Sequence, residues 1–358
     1  MVVGYSLGNK SVETDIQVVG EDSPDVITYS RSMTTILTRK CRNNCPYCGF
    51  HKNENLAVPY GTIKPAKQAR KQGVREILFV AGERPDKFPD VRATLDLWGF
   101  SSYLDYVYTV CELGFLEGLI PVLEVGFLSP IEMKKMQEIC ALMKIMLDTV
   151  DDHHFEKIYP KSPGKRKELR YKSLEWAGKL GIPTITGLMV GIGESKDHRR
   201  KTLNHIAKVQ KEFGHIHEVL IQNFVPEPGT RFENKTPPKH KVILDTVEMA
   251  LSILPDSTKV TIPIHLNTNI EDFIKAGIRD LGRIEDPRVL FPHVPELNFQ
   301  NIAEIVNKEG FRLQQRFPIR FSYIKDGRYS SKLGQVFEAI RYKITKDEQE
   351  RLKEKNTA

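Results

Sequence analysis

Short apolar segments alternate with longer amphipathic stretches along the chain from residue 34 onward. The apolar segments are continuous, which is typical of parallel strands buried on both faces. The strands predicted from this pattern occupy residues 34–38, 76–80, 119–125, 144–148, 183–190, 218–224 and 259–263, with a weaker candidate at 277–282. A strand followed by a helix, repeated seven or eight times, predicts an α/β fold built as a full or partial (β/α) TIM-type barrel.

Residues at the ends of the amphipathic stretches support their assignment as helices. Ser129 is predicted to be an N-cap, with Pro130 at the first helical position and Glu132 placed to complete a capping box. Gly181, followed by Pro183, predicts the end of the helix that contains RYKSLEWAGKL. The competing architecture is a doubly wound sheet, but no GxGxxG motif follows the first predicted strand.

The pattern divides the chain into three parts. Residues 1–30 are predicted to form an N-terminal segment and residues 31–296 the barrel. Residues 297–358, which include FRLQQRFPIRFSYIKDG, are predicted to form a C-terminal extension that packs on the barrel.

Composition and charge are those of a water-soluble globular protein. Hydrophobic residues make up 40% of the 358 residues, and no run of about 18 apolar residues predicts a membrane span. The formal charge of +7 raises the question of an RNA partner, but the 53 basic residues are mostly interleaved with the 46 acidic ones. Nucleic-acid binding is therefore not expected. The five cysteines do not form a disulfide framework, which favours a reducing, cytoplasmic location.

Three of those cysteines lie together in CRNNCPYCGFH, at residues 41–51. They directly follow the first predicted strand, and barrel enzymes keep their chemistry at that end of their strands. One interpretation is a structural zinc site with Cys41, Cys45, Cys48 and His51 as its four ligands. The other is an iron–sulfur cluster that is held by the three thiolates and leaves one iron without a protein ligand. An open iron site explains more, because it can bind a cosubstrate.

The CxxxCxxC spacing, with Tyr47 just before the last cysteine, resembles the signature of radical S-adenosylmethionine (SAM) enzymes. This resemblance implies a 4Fe–4S cluster held by Cys41, Cys45 and Cys48, with Tyr47 shielding it. It also implies that the fourth iron chelates SAM, whose reductive cleavage gives a 5′-deoxyadenosyl radical that abstracts hydrogen. An electron donor such as ferredoxin or flavodoxin is implied as well.

Further stretches match SAM-binding motifs of the same superfamily. AGERP follows the second strand and resembles the GGE motif that receives the SAM amino group, with alanine in place of the first glycine. GLMVGIGES resembles the GxxxGxxE pattern near the adenine. The resemblance implies SAM contacts at Gly82, Glu83, Asp148, Arg170, Gly187, Gly191 and Glu194. Of these, Asp148 is placed for a ribose hydroxyl and Arg170 for the SAM carboxylate.

Longer stretches between residues 26 and 295 are similar to one family, the CofG-type subunit of FO synthase; they include EILFVAGERPD, FLSPIEM and GHIHEVLIQNFVPEPGT. The resemblance implies that the chain closes the ring of the deazaflavin FO, a precursor of coenzyme F-420. Its substrate would be a small molecule, the adduct of tyrosine with 5-amino-6-ribitylaminouracil, and the reaction would release ammonia. A second radical SAM subunit, of CofH type, would supply this adduct.

The chain departs from this family in three loops at the barrel mouth. Glu124, His265 and Arg283 stand where the family has other residues. These departures leave open a divergent radical SAM enzyme acting on another small molecule or on RNA. For catalysis we consider Glu124 and His265 as proton-transfer groups, and Gln222 and Asn223 as partners of a uracil-like edge.

Overall fold

The computed structural model of the protein describes residues 23–50, 52, 54–295 and 297–338. Nine β-strands lie within these ranges. They are β1 (Val26–Thr38), β2 (Glu76–Ala81), β3 (Ile120–Glu124), β4 (Leu142–Lys144), β5 (Thr184–Val190), β6 (Ile216–Asn223), β7 (Lys259–Thr261), β8 (Asp280–Ile284) and β9 (Arg312–Gln315).

The strands form a nearly closed parallel barrel, which confirms the predicted fold. Strands β7 to β1 are neighbours in descending order, and β8 returns to pair with β1. Each strand pairs in parallel with the next, as a helical crossover between consecutive strands requires. Among the described residues, β7 and β8 meet without ladder hydrogen bonds, so this seam is where the barrel stays open.

Helices follow the strands and surround the barrel. The α-helices are α1 (Pro59–Ile63), α2 (Ala66–Lys71), α3 (Pro89–Leu97), α4 (Tyr103–Leu116), α5 (Pro130–Gln137), α6 (Asp152–Ile158), α7 (Lys167–Lys179), α8 (Lys196–Phe213), α9 (His240–Ile253), α10 (Ile270–Ala276), α11 (Phe299–Lys308) and α12 (Phe321–Lys325). Ser129 caps α5 with the predicted capping box, and Gly181 follows α7 at φ +67°. Within the described part of the chain, no helix is long and apolar enough to cross a membrane.

Two strands differ from their predicted positions. β1 begins at Val26 rather than at residue 34, because polar Ser and Thr residues that point into the barrel interrupt its apolar pattern. The prediction placed the fourth strand too late, because β4 ends at Lys144. The residues after it still run beside β5, with backbone hydrogen bonds from Ile145 to Ile185 and from Leu147 to Gly187 and a bridge between Asp148 and Leu188.

Side chains inside the barrel fall into an apolar part and a charged part. The inward residues of β2 to β5 form an apolar cluster, made by Leu78, Val80, Val122, Leu142 and Ile185. Buried Glu76, Glu218 and Asp280 instead line the interior on β2, β6 and β8. The two larger apolar cores lie between the strands and the surrounding helices. The barrel interior is therefore free to present polar groups to a ligand.

The C-terminal extension packs against the barrel through a strand that the sequence pattern did not predict. β9 pairs in parallel with the first half of β1, in register from Val26–Arg312 to Tyr29–Gln315. Directly after β9, Arg316 is buried and donates hydrogen bonds to Asp280 (Nε–Oδ2, 2.6 Å) and to Glu218 (Nη2–Oε2, 3.4 Å). The extension thus supplies the cation that neutralises carboxylates at the amino-terminal end of the barrel.

Candidate active site

A cavity of about 310 Å³ opens at the carboxyl ends of the strands. This volume is within the range of small-molecule sites, and this end of a barrel carries the active site in such folds. Most of the residues predicted from the sequence line it: Cys41, Cys45, Tyr47, Cys48, Gly82, Glu83, Glu124, Asp148, Arg170, Gln222, Asn223 and His265. Residues from seven separate segments are therefore brought together at one cavity.

The cysteine loop is fixed against the turn that follows β2. The backbone N–H groups of Glu83 and Asn43 donate to the sulfur of Cys41 at 3.2 and 3.4 Å. A Cβ atom on Gly82 would lie 1.9 Å from the carbonyl oxygen of Lys40, so only glycine allows the two loops to approach this closely. Hydrogen bonds from amides to sulfur are one of the means by which proteins tune iron–sulfur clusters.

The chemistry of the three thiols fits an iron–sulfur cluster. All three face the same cavity, and Cys45 Sγ lies 3.5 Å from the hydroxyl oxygen of Ser162. Burial raises the pKa of each thiol, that of Cys48 to about 12, so metal binding must displace the protons. Among the described residues, no three Cys, His, Asp or Glu side chains are arranged to hold a single metal ion. His51, the fourth ligand of the zinc interpretation, lies outside the described residues.

Glu83 and Arg170 form a buried ion pair beside the cysteine loop. Glu83 Oε2 accepts a hydrogen bond from Arg170 at 2.8 Å and another from the backbone N–H of Phe127 at 3.2 Å. Its Oε1 accepts from Arg42 Nε at 2.9 Å. Burial opposes the charge of Glu83, but the guanidinium groups of Arg170 and Arg42 outweigh it and lower the pKa of this carboxyl. The pair offers one anion and one cation, as the zwitterionic head of an amino acid requires.

Asp148 is held at the cavity wall in an unusual backbone conformation. Its φ of +60° lies in the left-handed region, which aspartate tolerates better than most residues. Its carboxylate pairs with Lys165 and accepts a hydrogen bond from the hydroxyl of Tyr47 at 3.4 Å. Tyr47 also contacts the hydroxyl of Tyr159 at 2.9 Å. The tyrosine next to Cys48 is thereby tied to the predicted ribose-binding residue.

Three of the predicted SAM-binding residues lie outside the cavity lining. A Cβ atom on Gly187 would lie 2.0 Å from the carbonyl oxygen of Leu220, and Gly191 has a φ of +101°. Glu194 accepts hydrogen bonds from the N–H groups of residues 191 and 192 and from Arg199, all between 2.9 and 3.0 Å. These contacts shape the turn after β5, so any effect of Gly187, Gly191 and Glu194 on a ligand passes through the backbone.

The amide residues at the end of β6 differ in their availability. Asn223 donates to the carbonyl of Leu266 and accepts from Asn267, both at 3.2 Å, and so positions the loop that carries His265. The amide nitrogen of Gln222 donates a hydrogen bond to the backbone carbonyl of Asn223 at 3.2 Å. His265 packs 5.8 Å from Phe291, and burial lowers its pKa to about 4. Its Nε2 atom has no hydrogen-bond partner among the described residues.

Sequence reasoning missed several functional candidates in and beside the cavity. Lys144, Lys165, Glu285 and Phe291 line it, and Arg42 contacts Glu83 beside it. Lys144 carried a signal, because a lysine within an otherwise apolar strand pattern must find a partner inside the barrel. That partner is Glu124, at 2.9 Å from Nζ to Oε2. Arg42 and Lys165 lie in loops with no such signal, since their carboxylate partners are far away in the sequence.

Comparison with known proteins places this site in a family. Residues 35–206 match the model of the Radical SAM superfamily. A 7,8-didemethyl-8-hydroxy-5-deazariboflavin synthase of Methanococcoides burtonii is 36% identical, over 88% of this chain and 96% of that protein. The synthase of Archaeoglobus fulgidus is 37% identical over 82% and 91%. The chain belongs to the deazariboflavin synthase family. Membership in the radical SAM superfamily implies that it uses a 4Fe–4S cluster and SAM.

Solved structures confirm the fold of this deazariboflavin synthase family member independently of sequence. The hydrogenase maturase HydG of Carboxydothermus hydrogenoformans superposes with a TM-score of 0.65 at 18% identity, over 92% of this chain and 84% of that one. Methylornithine synthase (PylB) gives 0.62 at 14% identity, over 83% and 86%. At these identities the likeness concerns the barrel alone.

Proposed function

We propose that this chain is the FO-forming synthase that closes the deazaflavin ring of a tyrosine–ribitylaminouracil adduct, with loss of ammonia. The observation that carries the proposal is the relationship to deazariboflavin synthases over more than four fifths of the chain, together with a single cavity that contains the cysteines and the substrate-facing polar groups.

In this proposal Cys41, Cys45 and Cys48 hold the 4Fe–4S cluster. When bound, the cluster and SAM supply a 5′-deoxyadenosyl radical that abstracts hydrogen from the substrate. The ion pair of Glu83 and Arg170 opens to receive SAM, with Glu83 binding its amino group and Arg170 its carboxylate. Each residue then replaces one partner of opposite charge with another, so no buried charge is left unpaired.

The remaining residues orient the nucleoside part of SAM and the substrate. Asp148 accepts hydrogen bonds from the ribose hydroxyls, with Tyr47 fixing its position. Gly187, Gly191 and Glu194 act through the turn that they shape. His265 is neutral at pH 7, since burial lowers its pKa, and its unpartnered Nε2 is available to take up a proton during ring closure.

The reaction also needs partners. We infer that a second, CofH-type radical SAM protein supplies the adduct, since its formation joins two separate molecules in a preceding step. A ferredoxin or flavodoxin supplies the electron. The need for reduced thiols and a reduced cluster supports a cytoplasmic location.

The test is an anaerobic assay of the reconstituted protein with SAM, a reductant and the adduct. We expect a brown 4Fe–4S protein that forms 5′-deoxyadenosine and a product with deazaflavin fluorescence. SAM cleavage without fluorescence would refute the assignment of substrate, whereas a colourless protein inert toward SAM would refute the whole proposal.

Two cysteine variants control this assay. Cys45→Ala removes a predicted ligand and should abolish both iron binding and SAM cleavage. Cys111→Ala removes a thiol that is fully buried in α4, away from the cavity, and should keep both. Equal iron content in the two variants would contradict the assignment of Cys45 to the cluster.

A further inference from the structure

The part of the cavity formed by the ends of β3, β4 and β8 is lined by charged groups that the SAM-binding residues do not explain. Glu124 is the last residue of β3, Lys144 the last of β4, and Arg283 lies one residue before the end of β8. All three line the cavity. Two of them, Glu124 and Arg283, are positions where the sequence departs from the pattern that it otherwise resembles.

Glu124 and Lys144 form one ion pair that keeps unused hydrogen-bonding capacity. Lys144 Nζ lies 2.9 Å from Oε2 of Glu124, and the two side chains are 13% and 28% exposed. Within the described part of the chain, Oε1 of Glu124 accepts no hydrogen bond, and Lys144 uses one of its three N–H groups. The pair therefore presents a donor and an acceptor next to each other.

Arg283 is turned into the barrel by a β-bulge. Thr28 pairs with Asp280 and Ser30 with Arg283, so β8 has one extra residue between these pairs. Gly282, at φ +68°, occupies the left-handed conformation that such a bulge requires. Without the extra residue, Arg283 would point to the opposite face of the sheet from Asp280. Bulges that re-aim a side chain are common next to active sites.

Two carboxylates then fix the guanidinium of Arg283. Its Nη2 donates to Glu285 at 3.1 Å, and its Nε lies 3.1 Å from Oε1 of Glu76, which is itself held by Ser30 at 3.0 Å. The side chain is 11% exposed, and among the described residues its Nη1 has no hydrogen-bond partner. A second donor is thus held in place beside the cavity.

The charges of this cluster select the kind of ligand. Three carboxylates, Glu76, Glu124 and Glu285, surround the two cations Lys144 and Arg283. No positive charge is left over for a carboxylate or a phosphate, so an anionic ligand would be repelled. The free groups of the cluster are donors on Lys144 and Arg283 and an acceptor on Glu124. A neutral ligand with two acceptors on either side of one donor would match them.

We propose that Glu124, Lys144 and Arg283 bind the imide edge of the pyrimidinedione ring, with Glu124 accepting the ring N3–H and the two cations donating to the flanking carbonyls. The inference rests on the proposed function, since a deazaflavin and its ribitylaminouracil precursor both carry this O=C–NH–C=O edge. It assigns to Glu124, Lys144 and Arg283 the specificity that Gln222 and Asn223 were expected to provide. The amides of Gln222 and Asn223 instead donate to backbone carbonyls.

The test compares two inert probes on the reconstituted holoenzyme by titration calorimetry. The first probe is 6-ribitylaminouracil, which carries the imide edge but lacks the groups needed for reaction. The second is its N3-methyl derivative, which lacks the donor. Because a hydrogen bond to a charged partner is lost, we expect methylation to weaken binding by at least about tenfold in the unchanged protein.

Glu124→Gln separates hydrogen bonding from steric exclusion. The glutamine amide has the size of the carboxylate. Because Lys144 binds the amide oxygen, the NH₂ group of the glutamine faces N3 of the ring. The preference for the unmethylated probe should therefore fall to about onefold. Glu112→Gln, in an exposed ion pair with Lys332 at 3.3 Å, is the matched control and should keep the preference. Lys144→Met should weaken both probes equally. A preference that survives in Glu124→Gln would overturn the inference, as would equal binding of the two probes to the unchanged protein.

The same preparations distinguish this failure from failure of the proposed function. If the unchanged protein forms FO from the adduct but shows no preference between the probes, the inference alone is wrong. If it cleaves SAM, forms no FO and binds neither probe, both are wrong.

Discussion

Replacement of Arg316 by methionine tests whether the C-terminal extension stabilises the barrel through charge. The guanidinium is 2% exposed, pairs with Asp280 and Glu218 and also donates to the carbonyls of Phe317 and Pro318 at 3.1 and 3.2 Å. Methionine retains most of the aliphatic volume but leaves two buried carboxylates without their cation. Breaking a buried ion pair in this way costs about 3–5 kcal/mol of unfolding free energy.

The loss should depend on pH, with a sign that follows from Glu218. Burial already raises the pKa of Glu218, and Arg316 counteracts that rise. Without Arg316 the pKa rises further, so the folded state holds a proton that the unfolded state releases at a lower pH. Stability of the variant therefore falls as the pH increases from the unfolded pKa toward the folded one. We expect the variant to be less destabilised at pH 5 than at pH 8.

Urea denaturation at both pH values measures the effect. Arg312→Met is the matched control, because Arg312 contacts Asp25 at 2.9 Å with both side chains more than half exposed. Its stability should be unchanged. The reasoning would be refuted if Arg316→Met were as stable as the control, or if its destabilisation were larger at pH 5. Adding Glu218→Gln to Arg316→Met should restore part of the loss.

Other predictions concern the site itself. Gly82→Ala should prevent incorporation of iron, measured per chain, because its Cβ would lie 1.9 Å from a backbone oxygen, whereas Gly61→Ala, with 4.0 Å of clearance, should not. His265 should titrate by NMR with a midpoint of about 4, and its contribution to stability should be lost as the pH falls from its unfolded pKa toward that value. Glu194→Ala should raise the KM for SAM more than Arg199→Ala, since Glu194 alone accepts from the N–H groups of the turn and Arg199 only supports Glu194; an unchanged KM in Glu194→Ala would contradict a role of this turn in SAM binding.

The fold was predictable from sequence because each barrel strand is a local pattern. Continuous apolar segments identified the strands, and the caps at Ser129 and Gly181 identified helix ends. β9 was not predictable in this way, since RLQQ has no apolar periodicity and its strand conformation depends on pairing with β1, far away in the sequence. The start of β1 was obscured for a related reason, because its inward residues are polar.

The candidate site divides in the same manner. The cysteines, Glu83 and Arg170 lie in short stretches that resemble the radical SAM superfamily, so their roles were expected from that resemblance. Their interactions with Arg42 and the orientation of Arg283 depend on long-range contacts and on a bulge, neither of which leaves a local pattern. The motif at the end of β5 was recognisable, but its glycines and Glu194 are explained by backbone packing that only three-dimensional proximity reveals.

The seam between β7 and β8 has a consequence for the passage of ligands. His265 follows one of these strands and Arg283 belongs to the other. Since no ladder hydrogen bond joins the two strands within the described residues, a widening of the seam would break none. Such a widening would enlarge the cavity between His265 and Arg283, while the paired strands from β7 back to β1 would keep the cysteine loop and the turn after β2 in place.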